Sequence, residues 1–112
     1  MQMRNSYQLS KLAEQMSEAD KNWLEFLRVP SMSAGIYRLR AGETDGQLPH
    51  TEDELYYIAE GRAELQVSGE SVPVEKGSLV YVEAHAEHRF HTITEDLTIL
   101  VFFSPAEYTN KP

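Results

Sequence analysis

The chain has 112 residues, with 10 basic side chains against 18 acidic ones, a net charge of −8 and no cysteine. That length predicts one domain with a single core, since folding removes roughly two thirds of the unfolded surface from water. The negative charge repels phosphate backbones and anionic lipid, which argues against nucleic-acid and membrane partners, and the lack of thiols excludes disulfides and thiolate zinc sites, so any metal must take nitrogen and oxygen ligands.

The opening "MQMRNSYQLSKLAEQ" has no apolar core. No unbroken apolar run is longer than Ile99 to Phe103, far short of the about 20 residues a membrane span needs. A cytoplasmic protein is expected. From Leu9 to Asp20, Leu9, Leu12, Ala13 and Met16 recur at helical spacing among charged residues, predicting one short amphipathic helix. Two apolar runs follow, Trp23 to Val29 and Ala34 to Leu39, split by Pro30 and Ser31 as in a pair of strands joined by a turn.

The segment "GETDGQLPHTEDELYYIAEG", Gly42 to Gly61, places His50 among six acids and then runs into an apolar stretch. In a straight strand residues four apart are separated by roughly 13 Å. That is too far for His50 and Glu54 to share an ion with ligand bonds of about 2 Å. A turn over Thr51 to Asp53 brings Glu54 opposite His50 and leaves Glu52 in water at the tip. A straight chain would instead put His50 and Glu52 on one face, about 7 Å apart. The turn is favoured because Thr51, Glu52 and Asp53 are polar throughout and Glu54 heads an alternating run in which Glu54, Tyr56 and Ile58 share a face.

Beyond Gly61, Ala63, Leu65 and Val67 alternate with polar residues, "SGES" and "EKG" turn the chain around Val72 and Val74, and Leu79 to Val82 is apolar. "HRFHTIT" and "LTILVFF" predict two more strands on either side of a break at Glu95 and Asp96. Many short strands imply an all-β sandwich or barrel. After Pro105 the polar end is expected to fray.

All four histidines lie in two stretches, His50 in the first and His85, His88 and His91 in "GSLVYVEAHAEHRFHT". Gly42, Leu48, His50, Glu54 and Gly61 together resemble the first motif of the cupins, with leucine at position 48 where histidine is usual. Gly77, Glu83, His85, His88 and Thr92 resemble the second, with proline, glycine and asparagine usual at 83, 85 and 92. The resemblance runs from about Met32 to Pro105. It implies an antiparallel double-stranded β-helix, a jelly-roll barrel, over residues 32–105, preceded by the helix and first strand in 1–31 and followed by a tail over 106–112. It also implies one divalent ion on His50, Glu54 and His88, a two-histidine, one-carboxylate set that suits iron and can hold zinc, nickel or manganese.

The alternative for these three is a barrel without metal in which they hydrogen-bond one another. Glu52 and His85 are reserve ligands or pocket residues, with Glu52 expected at the solvated tip of the turn and His85, where the motif has a turn glycine, at the rim beside His91, which strand alternation turns away from His88. Tyr56, Phe90 and Tyr81 are candidate pocket walls. Arg38 joins them if Ile36 and Arg38 face inward, and faces solvent in the other register. The pocket is expected to take a small organic molecule, either as an enzyme of oxygenase or isomerase type or as a noncatalytic binding or sensor module. Leu55, Tyr57, Ala59, Trp23, Phe26 and Leu100 to Phe103 give more apolar surface than a lone barrel hides, predicting a homodimer.

Overall fold

A computed structural model describes residues 6–112. Helix α1 (Leu9–Glu18) precedes strands β1 (Trp23–Val29), β2 (Met32–Leu39), β3 (Asp53–Val67), β4 (Glu70–Glu75), β5 (Leu79–Val82) and β6 (His88–Ser104). All strand pairs are antiparallel, in the order β1-β2-β6-β3-β4, with β5 on the front half of β3. This is the jelly-roll arrangement expected. Among the described residues no helix is long and apolar enough to cross a membrane.

The two long strands organise the rest. β3 pairs β5 through Glu54 to Tyr57 and β4 through Arg62 to Val67, while β6 follows its other edge throughout. Both bend where the register shifts, between Ile58 and Glu64. Gly61 sits at this bend with φ +100°, and a Cβ there would fall 2.8 Å from the carbonyl carbon of Asp96 and 2.9 Å from Leu97 Cα. Only glycine meets both demands.

The break expected at Glu95 and Asp96 is therefore not a strand end. β6 runs through as one 17-residue strand. The two acids stay exposed at its bend, where Glu95 is registered with Arg62 and Asp96 Oδ1 accepts the Ala41 N–H at 2.8 Å. The polar pair marks curvature, which a strand tolerates, rather than a turn.

Side-chain alternation then fixes the two faces. Glu54, Tyr56 and Ile58 of β3, Ile99, Val101 and Phe103 of β6, and Leu39 of β2 point inward and are buried. The outer face carries two cross-strand rows, Ala34–Phe102–Leu55–Tyr81 and Ile36–Leu100–Tyr57–Leu79. Trp23, Ala59, Val101 and Phe103, expected on the outer apolar surface, are instead inward or buried, because β1 and β6 alternate and Ala59 sits where the β3 register shifts.

The expectation of a fraying end is also corrected. Ala106 and Glu107 are buried. Glu52 accepts the backbone N–H groups of Tyr108 at 2.6 Å and Asn110 at 2.9 Å, and the Glu107 N–H donates to Ser33 Oγ at 2.8 Å. The tail is tied through its amides, so its polar side chains are no guide to its order.

Candidate metal centre

His50 ends an irregular loop that enters β3, and that loop is pinned at both ends. The buried carboxylate of Asp45 accepts the Phe90 N–H at 2.8 Å, the Tyr37 hydroxyl at 2.8 Å and the Gln47 side-chain amide at 2.8 Å. The His50 carbonyl accepts the His85 N–H at 2.7 Å, and Asp53 Oδ1 accepts the Ala84 N–H at 2.8 Å. The chain bends at Thr51 and Glu52, and Glu54 comes opposite His50 as the favoured turn requires.

The first residue of β6, His88, faces the same point. His50 Nδ1 lies 3.0 Å and His88 Nε2 3.3 Å from Glu54 Oε2. One donor atom from each residue falls within 4.8 Å of the other two. Two ligands on a metal with bonds of about 2.1 Å are separated by about 3.0–3.4 Å at tetrahedral or octahedral angles. The observed spacings match.

The remaining atoms of each ring decide which nitrogen is offered. His88 Nδ1 is 3.0 Å from the Ala86 carbonyl, so it carries the proton and leaves the Nε2 lone pair toward Glu54. His50 Nε2 is 3.3 Å from Glu107 Oε2, so with the ring neutral this nitrogen donates and Nδ1 is free to ligate. His50 Nδ1, Glu54 Oε1 and His88 Nε2 are buried without a hydrogen-bond partner. Buried polar atoms are costly to leave unpaired, and two ring nitrogens converging on one side of the Glu54 carboxylate fit a divalent cation.

Without a cation the same geometry favours a charged His50. Burial alone would lower its pKa, but the Glu107 and Glu54 carboxylates outweigh that and raise it from 6.5 to about 9. Tyr56 stands beside His88, ring centroids 6.1 Å apart, with its hydroxyl 3.3 Å from Gln47 Oε1. Burial, then the Glu54 charge, raises its pKa well above the usual 10, so it stays a neutral phenol.

Several expected site residues lie elsewhere. Glu52 is 1 % exposed rather than at a solvated tip, and its carboxylate is spent on Thr51 and the tail amides. Burial alone would raise its pKa, but those donors hold it below the ordinary carboxylate value. The His85 side chain is exposed, and only its backbone supports the site. Phe90 packs behind Tyr56 at 5.3 Å as core. Tyr81 is exposed on the outer face.

Arg38 is turned away from the barrel, its guanidinium donating to Ala13 O at 3.3 Å and Ser17 Oγ at 3.1 Å of α1. The register that puts Tyr37 inside is the one adopted. Leu48, at the position where the motif has histidine, is 78 % exposed and takes no part. Glu107, Asp45, Tyr37, Gln47 and the inward Trp23 were not singled out as site residues by the sequence. For Glu107 no sequence signal existed, since it lies in a polar tail; Asp45 stood in the acidic cluster without a distinguishing neighbour.

A sequence model for the Cupin domain matches residues 35–103. The uncharacterized protein SCO3923 of Streptomyces coelicolor is 46% identical over 102 residues, covering 91% of this chain and 97% of that protein. Among solved structures, KdgF from Halomonas sp. superposes with a TM-score of 0.67 at 20% identity, over 74% of this chain and 76% of its own. The salicylate 1,2-dioxygenase of Pseudoaminobacter salicylatoxidans gives 0.75 at 14% identity, over 88% of this chain and 33% of that one. At such identities the structural likeness concerns the fold alone.

Proposed function

Because the chain belongs to the cupin domain family, we propose that it is a metal-dependent enzyme of oxygenase or isomerase type acting on a small organic substrate. His50 through Nδ1, Glu54, and His88 through Nε2 hold one divalent ion, of iron, zinc, nickel or manganese. The observation that carries this reading is the convergence of His50 Nδ1 and His88 Nε2 on the buried Glu54 carboxylate, at 3.0 Å and 3.3 Å from Oε2. When bound, the ion supplies Lewis-acid polarisation of a substrate oxygen or a redox centre.

The chain's own residues do the rest. Glu107 holds the His50 ring by its outer edge, Ala86 does the same for His88, and Tyr56 offers a neutral hydroxyl from the barrel floor. The salicylate dioxygenase and a DMSP lyase from Ruegeria pomeroyi, both named for reactions on small organic molecules, share the fold. That likeness supports a small substrate without selecting the reaction. Two copies pair through the outer rows, where Leu79 is 65 % and Tyr81 59 % exposed.

Elemental analysis of the purified native protein tests the centre. About one transition-metal ion per chain is expected, lost in Glu54→Ala and His88→Ala. A wild-type protein that contains none and takes up none of Fe²⁺, Zn²⁺, Ni²⁺ or Mn²⁺ would overturn it.

A further inference from the structure

At the His50 end of the barrel a cavity of about 170 Å³ lies between Trp23, Tyr37, Phe103 and Tyr108, with Val101 as its aliphatic wall. Pockets for drug-sized ligands hold roughly 300–1,000 Å³, whereas a cavity of about 150 Å³ in a protein core admits benzene. The volume fits one six-membered ring.

The indole is laid into this space by the backbone. Gly35 stands two residues before Tyr37 on the same inner face of β2, and a Cβ there would fall 2.6 Å from Trp23 Cζ2 and 2.8 Å from Cζ3. The indole crosses β2 only because that residue is glycine. Tyr37 and Phe103 meet it nearly edge-on, with ring centroids 6.5 Å and 6.4 Å away and interplanar angles of 69° and 77°. Phe103 also packs on His50 at 4.9 Å, so the ring wall reaches the proposed centre. Tyr108 closes the mouth, where it is 57 % exposed.

The polar groups along this wall are already matched. His50 Nε2 and Glu107 Oε2 are 3.3 Å apart, and the Tyr37 hydroxyl donates to Asp45 Oδ1 at 2.8 Å. The Gln47 amide donates to Asp45 Oδ2 at 2.8 Å, and its oxygen accepts from the Tyr56 hydroxyl at 3.3 Å. An occupant therefore meets ring surfaces rather than open polar groups. Aromatic rings attract one another through their quadrupoles beyond the area they bury, an attraction that a saturated ring does not share.

We infer that the cavity binds a single aromatic ring, so that the substrate class of the centre is a monocyclic aromatic compound. That the ring belongs to the substrate rests on the metal-centre reading; that the cavity takes it does not.

The probes are three uncharged alcohols, benzyl alcohol, cyclohexylmethanol and 1-naphthalenemethanol, so that neither His50 nor a bound ion selects among them by charge. Each is titrated calorimetrically into the full chain with and without Zn²⁺, with zinc content measured in the same samples. The fluorescence of Trp23, the sole tryptophan, locates benzyl alcohol at this wall. Benzyl alcohol is expected to bind saturably and about 2- to 10-fold tighter than cyclohexylmethanol, although the saturated ring is the more apolar, with 1-naphthalenemethanol weakest. Val101→Phe, which fills the cavity, should lose the response to benzyl alcohol while keeping its zinc. Should that variant not fold, Tyr108→Ala, altered at the exposed rim, should narrow the preference for the aromatic over the saturated ring.

Cyclohexylmethanol or 1-naphthalenemethanol bound as tightly as benzyl alcohol, no response to benzyl alcohol, or an unchanged response in the variant that folds overturns the inference. Zinc-loaded protein that ignores benzyl alcohol overturns it alone. Protein that binds benzyl alcohol with this ring preference but takes up no zinc overturns the metal centre and leaves the ring site standing.

Discussion

Glu107 Oε2 stands 3.3 Å from His50 Nε2, so a residue of the C-terminal segment sets the orientation of a ring at the entrance of β3. Outer carboxylates of this kind fix a ligand's tautomer and raise its basicity, and their loss costs about 10–100-fold in metal affinity. Glu107→Ala is expected to weaken Zn²⁺ or Co²⁺ binding by about that factor, with Glu107→Gln, which keeps an acceptor, intermediate. Calorimetric titration checks the order; equal affinities in all three proteins would remove Glu107 from this role.

Glu52 and Glu54 are separated by one residue and should behave oppositely. Glu54→Ala is expected to abolish metal uptake. Glu52→Ala should retain it, while losing about 2–4 kcal/mol of stability as the charge-assisted bonds to the Tyr108 and Asn110 amides disappear. Metal content and chemical denaturation together separate the two. Loss of metal in Glu52→Ala with retention in Glu54→Ala would move the site.

The pH dependence of the metal-free protein follows from His50. Its pKa is raised from 6.5 to about 9, so the stabilisation is fully present below 6.5 and is lost as pH rises through about 9. Melting temperature should fall across that window, and His50→Gln should flatten the fall. Metal binding has the opposite sign, since ligation requires the neutral ring: affinity should rise with pH, and uptake near pH 7 should release protons. Metal occupancy indifferent to pH between 7 and 4.5 would contradict the ligand set.

At the strand bend, Gly61→Ala combines a left-handed φ of +100° with a Cβ 2.8 Å from the Asp96 carbonyl carbon. A loss of roughly 2–4 kcal/mol is expected. Gly46→Ala, where a Cβ meets nothing, should be close to neutral and serves as the control in the same denaturation series.

Light scattering at micromolar concentration is expected to give twice the 12.8 kDa chain mass. Leu79→Glu should shift the protein to monomer without disturbing the interior, since Leu79 is 65 % exposed on the outer rows. A wild-type monomer would rule out the pairing.

Periodicity made the helix, the β1–β2 pair and the inward set Glu54, Tyr56 and Ile58 legible, because burial imposes period 2 or 3.6 on side chains. It could not choose between Tyr37 and Arg38 as the inward residue, since a one-residue slip exchanges faces and both faces of β2 carry apolar residues. The turn before Glu54 was readable from its polar residues. Its interior was not, because Glu52 is buried by bonds to backbone amides of residues 108 and 110, which side-chain patterns do not encode. Asp45 escaped for the same reason, its carboxylate held by the distant Phe90 amide, and Glu107 escaped because its own N–H is held by the distant Ser33 hydroxyl.

The route by which the three donor residues meet bears on the order of folding. His50 and Glu54 precede the β4 and β5 excursions, His88 opens β6, and Phe103 near its end is registered with both Ser33 of β2 and Glu54 of β3. β6 is thus the last strand made and the one that joins the two halves, after the entropy of closing long loops has been met. The three donor side chains can meet only once the start of β6 has paired with the end of β3. In a refolding experiment, Co²⁺ absorption should therefore appear in the slowest kinetic phase, together with the burial of Trp23, and ahead of neither.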